Sequence, residues 1–514
     1  MASALISPFK DDGIMEVVPD VVKVAGKLSQ SSVITGRRRI RVVPQTGQTY
    51  TLGAGGSSGI VNLLLQDGGA YCDLTSAVLS FDVITWDTAN GGNLALSDVA
   101  VDEGIYSVFR RAVITVNSTQ ADDRDLLSKA TNAEILATCS QSWYDNAGSW
   151  MGLWSRNTGS GAAATGGAGV DANKYAVAAK LAKVAAVQQV ASATGAGLAS
   201  VQGQNHYSVP VSFLSDFFRN ETLLPLRNAG QVYLQLQLAS AIEATVGYLQ
   251  GAGVAPSPAV QISNLTMEVD MIDLHPTYLA MMDKMIEDPE GEGVRWAFDA
   301  HLSATALIPA NAGDTSAIYS KASQNLRAIQ VISQPSAGLS VFGFPQQGCF
   351  GNPGFRNIQV RVGSNYYPAF MSVGEARAFQ DLQNAFGSPG NSVDKSGVID
   401  TKNYYLATPA AGLAAGTVQQ SNNNGTLINA GSAGSSANAA YLGADAWSWA
   451  YCFDRLKHAK FSGTDLDGIN SLTASGSQLV VQINCNPTEA QTLAAFIRYT
   501  RVLVLQGGAT RVIG

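Results

Sequence analysis

Apolar and polar residues alternate most cleanly at VYLQLQL, where Val232, Leu234, Leu236 and Leu238 take one side and Tyr233, Gln235 and Gln237 the other. That period of two predicts a half-buried strand. The same reading applies to IVNLLLQDGG (Ile60 to Gly69), an apolar run stopped by a turn signal, and to VFRRAVITVNS. CDLTSAVLSFDVITWD (Cys72 to Asp87) is longer and rich in the β-branched and aromatic residues that suit a pleated surface. HYSVPVSFLSDFF predicts a strand running into a short helical turn, and LPL with the turn Arg227 to Gly230 leads into VYLQLQL. VRWAFDAHLSATALIP, QLVVQIN and FIRYTRVLVLQ continue the strand pattern to the C-terminus. Helical spacing is rarer. It is clearest in PTYLAMMDKMIED, where Leu279, Met282 and Ile286 share a face behind Pro276 at the first turn. Many strands, few helices and frequent turns predict an all-β chain of the sandwich or jelly-roll kind.

Three segments recur in the same order in the two halves. Ala112 to Thr119 (AVITVNST) matches Ile358 to Asn365 (IQVRVGSN), and a helix-like stretch follows each, at Ala133 to Trp143 and Ala376 to Phe386. Gly230 to Leu238 (GQVYLQLQL) matches Ser477 to Cys485 (SQLVVQINC), and Asn264 to Leu274 (NLTMEVDMIDL) matches Phe496 to Gln506 (FIRYTRVLVLQ). The offsets of about 246, 247 and 232 residues are too long for a solenoid repeat and fit two similar domains. The expected organisation is an N-terminal arm at 1–45, a first domain at 46–275, a helix and linker at 276–293, and a second domain at 294–514. A low-complexity insertion rich in Ala, Gly, Ser and Val interrupts the first domain at about 145–205, and a second uncharged loop covers about 408–440.

Composition shifts this picture toward assembly. Charged residues are only 14% of the 514 residues, with 52 glycines and much uncharged polar side chain. Surfaces covered by neighbouring proteins are depleted in Lys, Glu and Asp, so an oligomer is expected. A net charge of −7 argues against nucleic-acid binding by the body of the chain. Lys23, Lys27, Arg37, Arg38, Arg39 and Arg41 nevertheless cluster near the N-terminus as the candidate contact for a polyanion, for the inner side of a shell, or for acidic residues of a neighbouring subunit. Arg37 to Arg41 run into strand-like IRVV, so a solvated strand edge is the plainer alternative.

The sequence carries little sign of catalysis. Its four histidines, His206, His275, His301 and His458, lack metal-site spacing, and His275 and His301 are expected to be surface or packing residues. There is no G-x-S-x-G elbow and no phosphate-loop motif. GAGGSSG (Gly53 to Gly59) and TDLDG (Thr464 to Gly468) read as turns. The five cysteines are scattered and expected to be reduced and buried. Of the sequons at Asn117, Asn220, Asn264 and Asn424, the last is the candidate glycosylation site, and Asn264 opens a strand expected to be buried. Trp143, Tyr144, Trp150 and Trp154 cluster before the first insertion and are expected to anchor it. Neither a signal peptide nor an apolar span is expected.

Taken with the duplicated strand–turn–helix, YSVPVSFLSDFFRNETLLPLRNAGQVYLQLQ (Tyr207 to Gln237) and FSGTDLDGIN with QLVVQIN, the chain resembles the double jelly-roll major capsid proteins of double-stranded DNA viruses, in the style of polinton-like viruses, virophages and small relatives of the large algal viruses. The resemblance implies two tandem eight-stranded jelly rolls and a structural protein rather than an enzyme, with no cofactor. It implies a homotrimeric, pseudo-hexameric capsomer tiling an icosahedral shell, made in the host cell and located in the virion. It also implies the two long loops on the outer face, penton and minor capsid proteins as partners, and packaged DNA or an inner lipid layer near the N-terminal arm. The alternative reading is a tandem β-sandwich for carbohydrate binding or surface attachment.

Overall fold

The computed structural model describes residues 34–52, 59–66, 70–87, 99–153, 205–220, 222–247, 258–288, 293–319, 325–336, 339, 346–348, 350–386, 398–399, 404, 419–421, 427–429, 446–453, 479–487, 490–506 and 509–513. The first half runs β1 (Ile34–Val42), β2 (Thr49–Leu52), β3 (Ile60–Leu65), β4 (Tyr71–Asp87), β5 (Val99–Val101), β6 (Phe109–Val116), β7 (Thr119–Arg124), α1 (Leu127–Thr138), α2 (Gln141–Asn146), β8 (Asn205–Pro210), β9 (Leu224–Pro225), α3 (Leu226–Ala229), β10 (Val232–Leu238), α4 (Ala241–Ala244), β11 (Thr245–Gly247) and β12 (Pro258–Leu274). After α5 (Pro276–Glu287) come β13 (Val294–Ile308), β14 (Gly313–Tyr319), β15 (Leu326–Pro335), β16 (Phe355–Val362), β17 (Asn365–Val373), α6 (Glu375–Ala385), β18 (Gln419–Ser421), β19 (Leu427–Asn429), β20 (Ser448–Cys452), β21 (Leu479–Cys485), β22 (Gln491–Gln506) and β23 (Ala509–Ile513).

These strands form two pairs of antiparallel sheets with one wiring. In the first half, one sheet has the order β1-β12-β4-β8, with β2 also on β12 and β9 on β4, and its partner has the order β3-β10-β6-β7. In the second half the orders are β13-β22-β15-β20, with β23 on β22, and β14-β21-β16-β17. Each pair interleaves strands from the beginning and end of its segment, as a jelly roll requires. The recurrent sequence segments fall on equivalent strands: β6 with β16, β10 with β21, and β12 with β22.

Burial follows the alternation. Val232, Leu234, Leu236 and Leu238 of β10 are buried while Tyr233, Gln235 and Gln237 are half-buried. The long strands β4 and β12 pair along most of their lengths, with register breaks at Ser263/Thr266 and Glu268/Asp270. The strand β12 is mostly buried, as expected, but it begins before Asn264, which sits in the first break with φ 53 and is exposed. An Asn tolerates that left-handed conformation better than most residues. The described parts of both halves contribute to one contiguous core, which in the second half includes the fully buried Trp447 and Trp449.

Several expectations shift in detail. Residues 34–42, read as part of an arm, form an edge strand whose Ile40 and Val42 oppose Val269 and Met267. The helix expected at Ala133 to Trp143 begins earlier and splits. Leu126, in a left-handed turn at φ 51, starts α1, and Cys139 is extended. Ser140 Oγ then accepts from Trp143 N at 3.2 Å, capping the next helix. The helix α5 matches its pattern, burying Met282 and Ile286, and His275 Nδ1 accepts from Thr277 N at its start. The insertion at 145–205 joins β7 to β8, the loop at 408–440 joins β17 to β20, and these connections are equivalent in the two rolls. Only 145–153 of the first is described, and in the second only the paired strands β18 and β19. At the start of the first, Met151 and Leu153 are buried, whereas Trp150 is 71% exposed; just before it Tyr144 is buried and Trp143 stacks on Phe213 at 5.7 Å.

Candidate functional site

A chain built from two rolls places its most distinctive chemistry where they meet. The free edge of β7, the helix α1 and the 3-10 turn Asp216–Arg219 face β13, β15 and β22 of the second roll. Apolar packing is present, with Phe217 edge-on to Phe298 at 5.1 Å. Most of the junction, however, is ionic. Arg124 Nη2 lies 3.2 Å from Glu134 Oε2, and Arg219 reaches the other Glu134 oxygen and lies 2.8 Å from Asp216 Oδ1. Arg498 spans the rolls, 3.4 Å from Asp216 Oδ2 and 2.7 Å from Asp299 Oδ2, and Arg327 contacts Asp299 at 3.1 Å. Ser215 donates to the carboxylate of Asp122 behind this cluster. Four arginines thus face three carboxylates, Glu134, Asp216 and Asp299, with Asp122 behind them, which permits burial of charges that would be prohibitive alone.

The protonation states follow from this packing. Burial alone would raise the Glu134 carboxyl, but Arg219, Arg124 and Arg498 hold it well below the usual carboxylate range. Burial pushes Asp122 up to about 6, against its bond from Ser215 and with repulsion from Asp216. Burial, with Arg124 beside it, takes His301 well below its ordinary value, so its ring is neutral at pH 7. His301 Nδ1 is 3.6 Å from Asp216 Oδ2, too long for a hydrogen bond.

Backbone groups extend the contact. Arg501 Nη1 donates to Ala121 O at 2.7 Å, Ser303 Oγ to Asp125 O at 2.7 Å, and Asn220 Nδ2 to Ala297 O at 2.9 Å. At the loop end of the rolls, Gln347 N donates to Asp102 Oδ2 at 2.8 Å and Asn132 Nδ2 to Gln347 O at 2.9 Å. Gly348 is packed so closely on Glu103 that a Cβ would lie 1.9 Å from Glu103 Oε2. Beside this contact a cleft of about 360 Å³ is lined by Arg110, Lys129, Ser240, Ile242, Glu243, Leu339 and Gln346. Burial takes Lys129 down to about 8, partly offset by Glu243 and Asp102.

Of the basic residues singled out from sequence, Lys23 and Lys27 lie outside the described residues, as does Asn424. Arg37, Arg38, Arg39 and Arg41 lie together on β1. Arg37 Nε and Arg39 Nε donate to opposite oxygens of Asp270, at 3.1 and 2.9 Å, and Arg41 Nη2 donates to Glu268 at 2.7 Å. The Arg39 hydrogen bond leads in holding the Asp270 carboxyl below its ordinary value. His301, expected to be a surface or packing residue, is buried at the junction; the other junction residues escape sequence reading, because Arg124, Glu134, Asp216, Asp299, Arg327 and Arg498 come from separate elements with no common spacing. Among the described residues, no group of three or more His, Cys, Asp or Glu side chains is placed to hold a metal ion, and no helix is long and apolar enough to cross a membrane.

No family model and no curated protein matches the sequence. Solved structures do match. The Faustovirus major capsid protein aligns over 93% of this chain and 92% of its own, with a TM-score of 0.51 and 9% identity. A chain from the cryo-EM structure of the Sputnik virophage aligns over 95% and 90%, with a TM-score of 0.50 and 11% identity. PBCV-1 VP54, fitted into a reconstruction of the same virophage, aligns over 94% and 98%, again with a TM-score of 0.50, at 10% identity. The chain has the double jelly-roll fold. That double jelly roll is shared with these proteins nearly end to end, so the two rolls and their connection correspond as a unit.

Proposed function

We propose that this double jelly-roll chain is the major capsid protein of a double-stranded DNA virus, self-assembling through homotrimeric, pseudo-hexameric capsomers into an icosahedral shell. The observation that carries the reading is the pair of equivalently wired rolls joined by a buried, charge-balanced junction, in a fold shared with capsid proteins over more than nine-tenths of the chain. The ionisable groups at the junction are engaged with one another across the two rolls, as a structural contact requires.

In this reading the rolls span 46–275 and 294–514, linked through 276–293, and β1 extends the first roll into the arm. The equivalent insertions between β7 and β8 and between β17 and β20 leave the same end of each roll and form the outer face of the capsomer. Residues before β1, with Lys23 and Lys27, face the shell interior, where packaged DNA or a lipid layer would meet them. Penton and minor capsid proteins complete the shell. The test is electron microscopy of the purified full-length protein: hexagonal outlines or closed shells support the reading, and uniformly small, featureless particles at all concentrations oppose it.

A further inference from the structure

The cleft beside the Gln347 contact has an unbalanced lining. The first half of the chain supplies Arg110 of β6, Lys129 in the first turn of α1, and Glu243 of α4, so two cations meet one carboxylate. Lys129 is only 9% exposed, yet its ammonium makes no hydrogen bond or ion pair among the described residues. A buried charge without a partner is costly. The charged groups that face it are Glu243, Asp102 and Arg110. Asp102 is already engaged, accepting from Glu103 N at 2.6 Å and Gln347 N at 2.8 Å, and Glu103 is packed on Gly348. The first turn of α1 holds no acidic residue, so the positive end of the helix adds to the Lys129 charge rather than offsetting it. Arg110 is exposed and likewise unpaired among the described residues, whereas its neighbour Arg111 donates to both oxygens of Asp123 at 2.6 Å.

The cleft has room for the missing partner. Its volume of about 360 Å³ falls within the range of small-molecule pockets. Ile242 and Leu339 give it an apolar side. Its walls are held in place by Gln347 Nε2, which donates to Glu243 O at 3.0 Å, and by Gln334 Nε2, which donates to Gln346 O at 2.6 Å. A pocket fixed in this way loses little entropy when a ligand enters. We infer that this cleft binds a small organic carboxylate, with its head on the Lys129 ammonium and the Arg110 guanidinium and its apolar body on Ile242 and Leu339. The charge balance selects a monoanion, because one negative charge cancels the excess and a second would meet Glu243. Lysine and arginine both form charge-assisted hydrogen bonds to a carboxylate. The site lies within one chain and is independent of how copies assemble.

The test is calorimetric titration of the full-length chain with benzoate, with hexanoate and, separately, with inorganic phosphate. Saturable binding of the two carboxylates is expected, with phosphate weaker. Lys129→Met keeps an apolar stem and removes the charge; it is expected to weaken benzoate at least about tenfold, the loss of one charge-assisted hydrogen bond. Its thermal melt is expected at or above that of the wild type, since a buried charge has been removed. Arg110→Gln, at an exposed position, is expected to weaken benzoate without changing the melt. A further readout needs no variant. Burial takes Lys129 down to about 8, and a bound carboxylate draws the proton back onto the amine. Binding at pH 8 is therefore expected to take up about half a proton, read by repeating the titration in buffers of different ionisation enthalpy. Absence of saturable carboxylate binding, tighter binding of phosphate, or benzoate affinity unchanged in Arg110→Gln with no proton uptake at pH 8 would each overturn the site.

Discussion

Asp122 is the residue whose environment makes the sharpest prediction. Its carboxyl is fully buried and pushed up to about 6, above the ordinary 3.8. A folded-state value above the unfolded one means that its contribution is full below about pH 4 and lost as the pH rises through about 6. The ionised group therefore costs about 3 kcal/mol at pH 8. Asp122→Asn keeps an oxygen to accept from Asp123 N, places an amide N–H that can donate to Ser215 Oγ, and removes that cost. It is expected to raise the denaturant midpoint at pH 8 and leave it unchanged at pH 4; equal effects at the two pH values would contradict the assignment. Glu134 and His301 have the opposite sign. Both are held low, so the Glu134 contribution is present above its unfolded value and lost as the pH falls through the folded one, and that of His301 declines as the pH drops through about 6.5. Glu134→Gln leaves Arg124 and Arg219 buried without their shared anion and is expected to cost about 3–5 kcal/mol in the same denaturant measurement. Gly348→Ala forces a methyl into Glu103, which is itself buried, and is expected to cost about 1–3 kcal/mol. A Gly348→Ala protein as stable as wild type would show that the loop contact yields without loss.

Elements with one wet face and one dry face were legible from sequence, and elements that serve the junction were not. β10 alternates because one side faces core and the other does not, so Leu234→Ala is expected to cost about 2–5 kcal/mol and Gln235→Ala less than about 1. Comparable losses from both would contradict that sidedness. The helix α1 begins before the expected Ala133 because Ser128, Lys129, Thr131, Asn132 and Glu134 are buried against other elements, which leaves no polar face to mark a helix in the sequence. β1 was read as part of an arm because its arginines dominate its composition; the carboxylates that neutralise them lie more than 220 residues away on β12. The buried character of β12 is legible in its apolar residues, whereas the register break with β4 that turns Asn264 outward is not. The inter-roll cluster had no sequence signature, since each ion pair joins residues that only the sheet wiring brings together.

At the scale of the whole molecule, duplication explains the fold. Two rolls with one wiring meet through β7 on one side and β13 with β22 on the other. Low charge suits such a chain, because few solvated groups need to be stripped of water when neighbours pack against it. The long connections join equivalent strands of the two rolls, β7 to β8 and β17 to β20. The most direct measurement is the mass of the purified full-length chain in solution by light scattering across a wide concentration range. The account predicts a stable species of three times the 53.7 kDa chain mass. A monomer that persists at every concentration would contradict it.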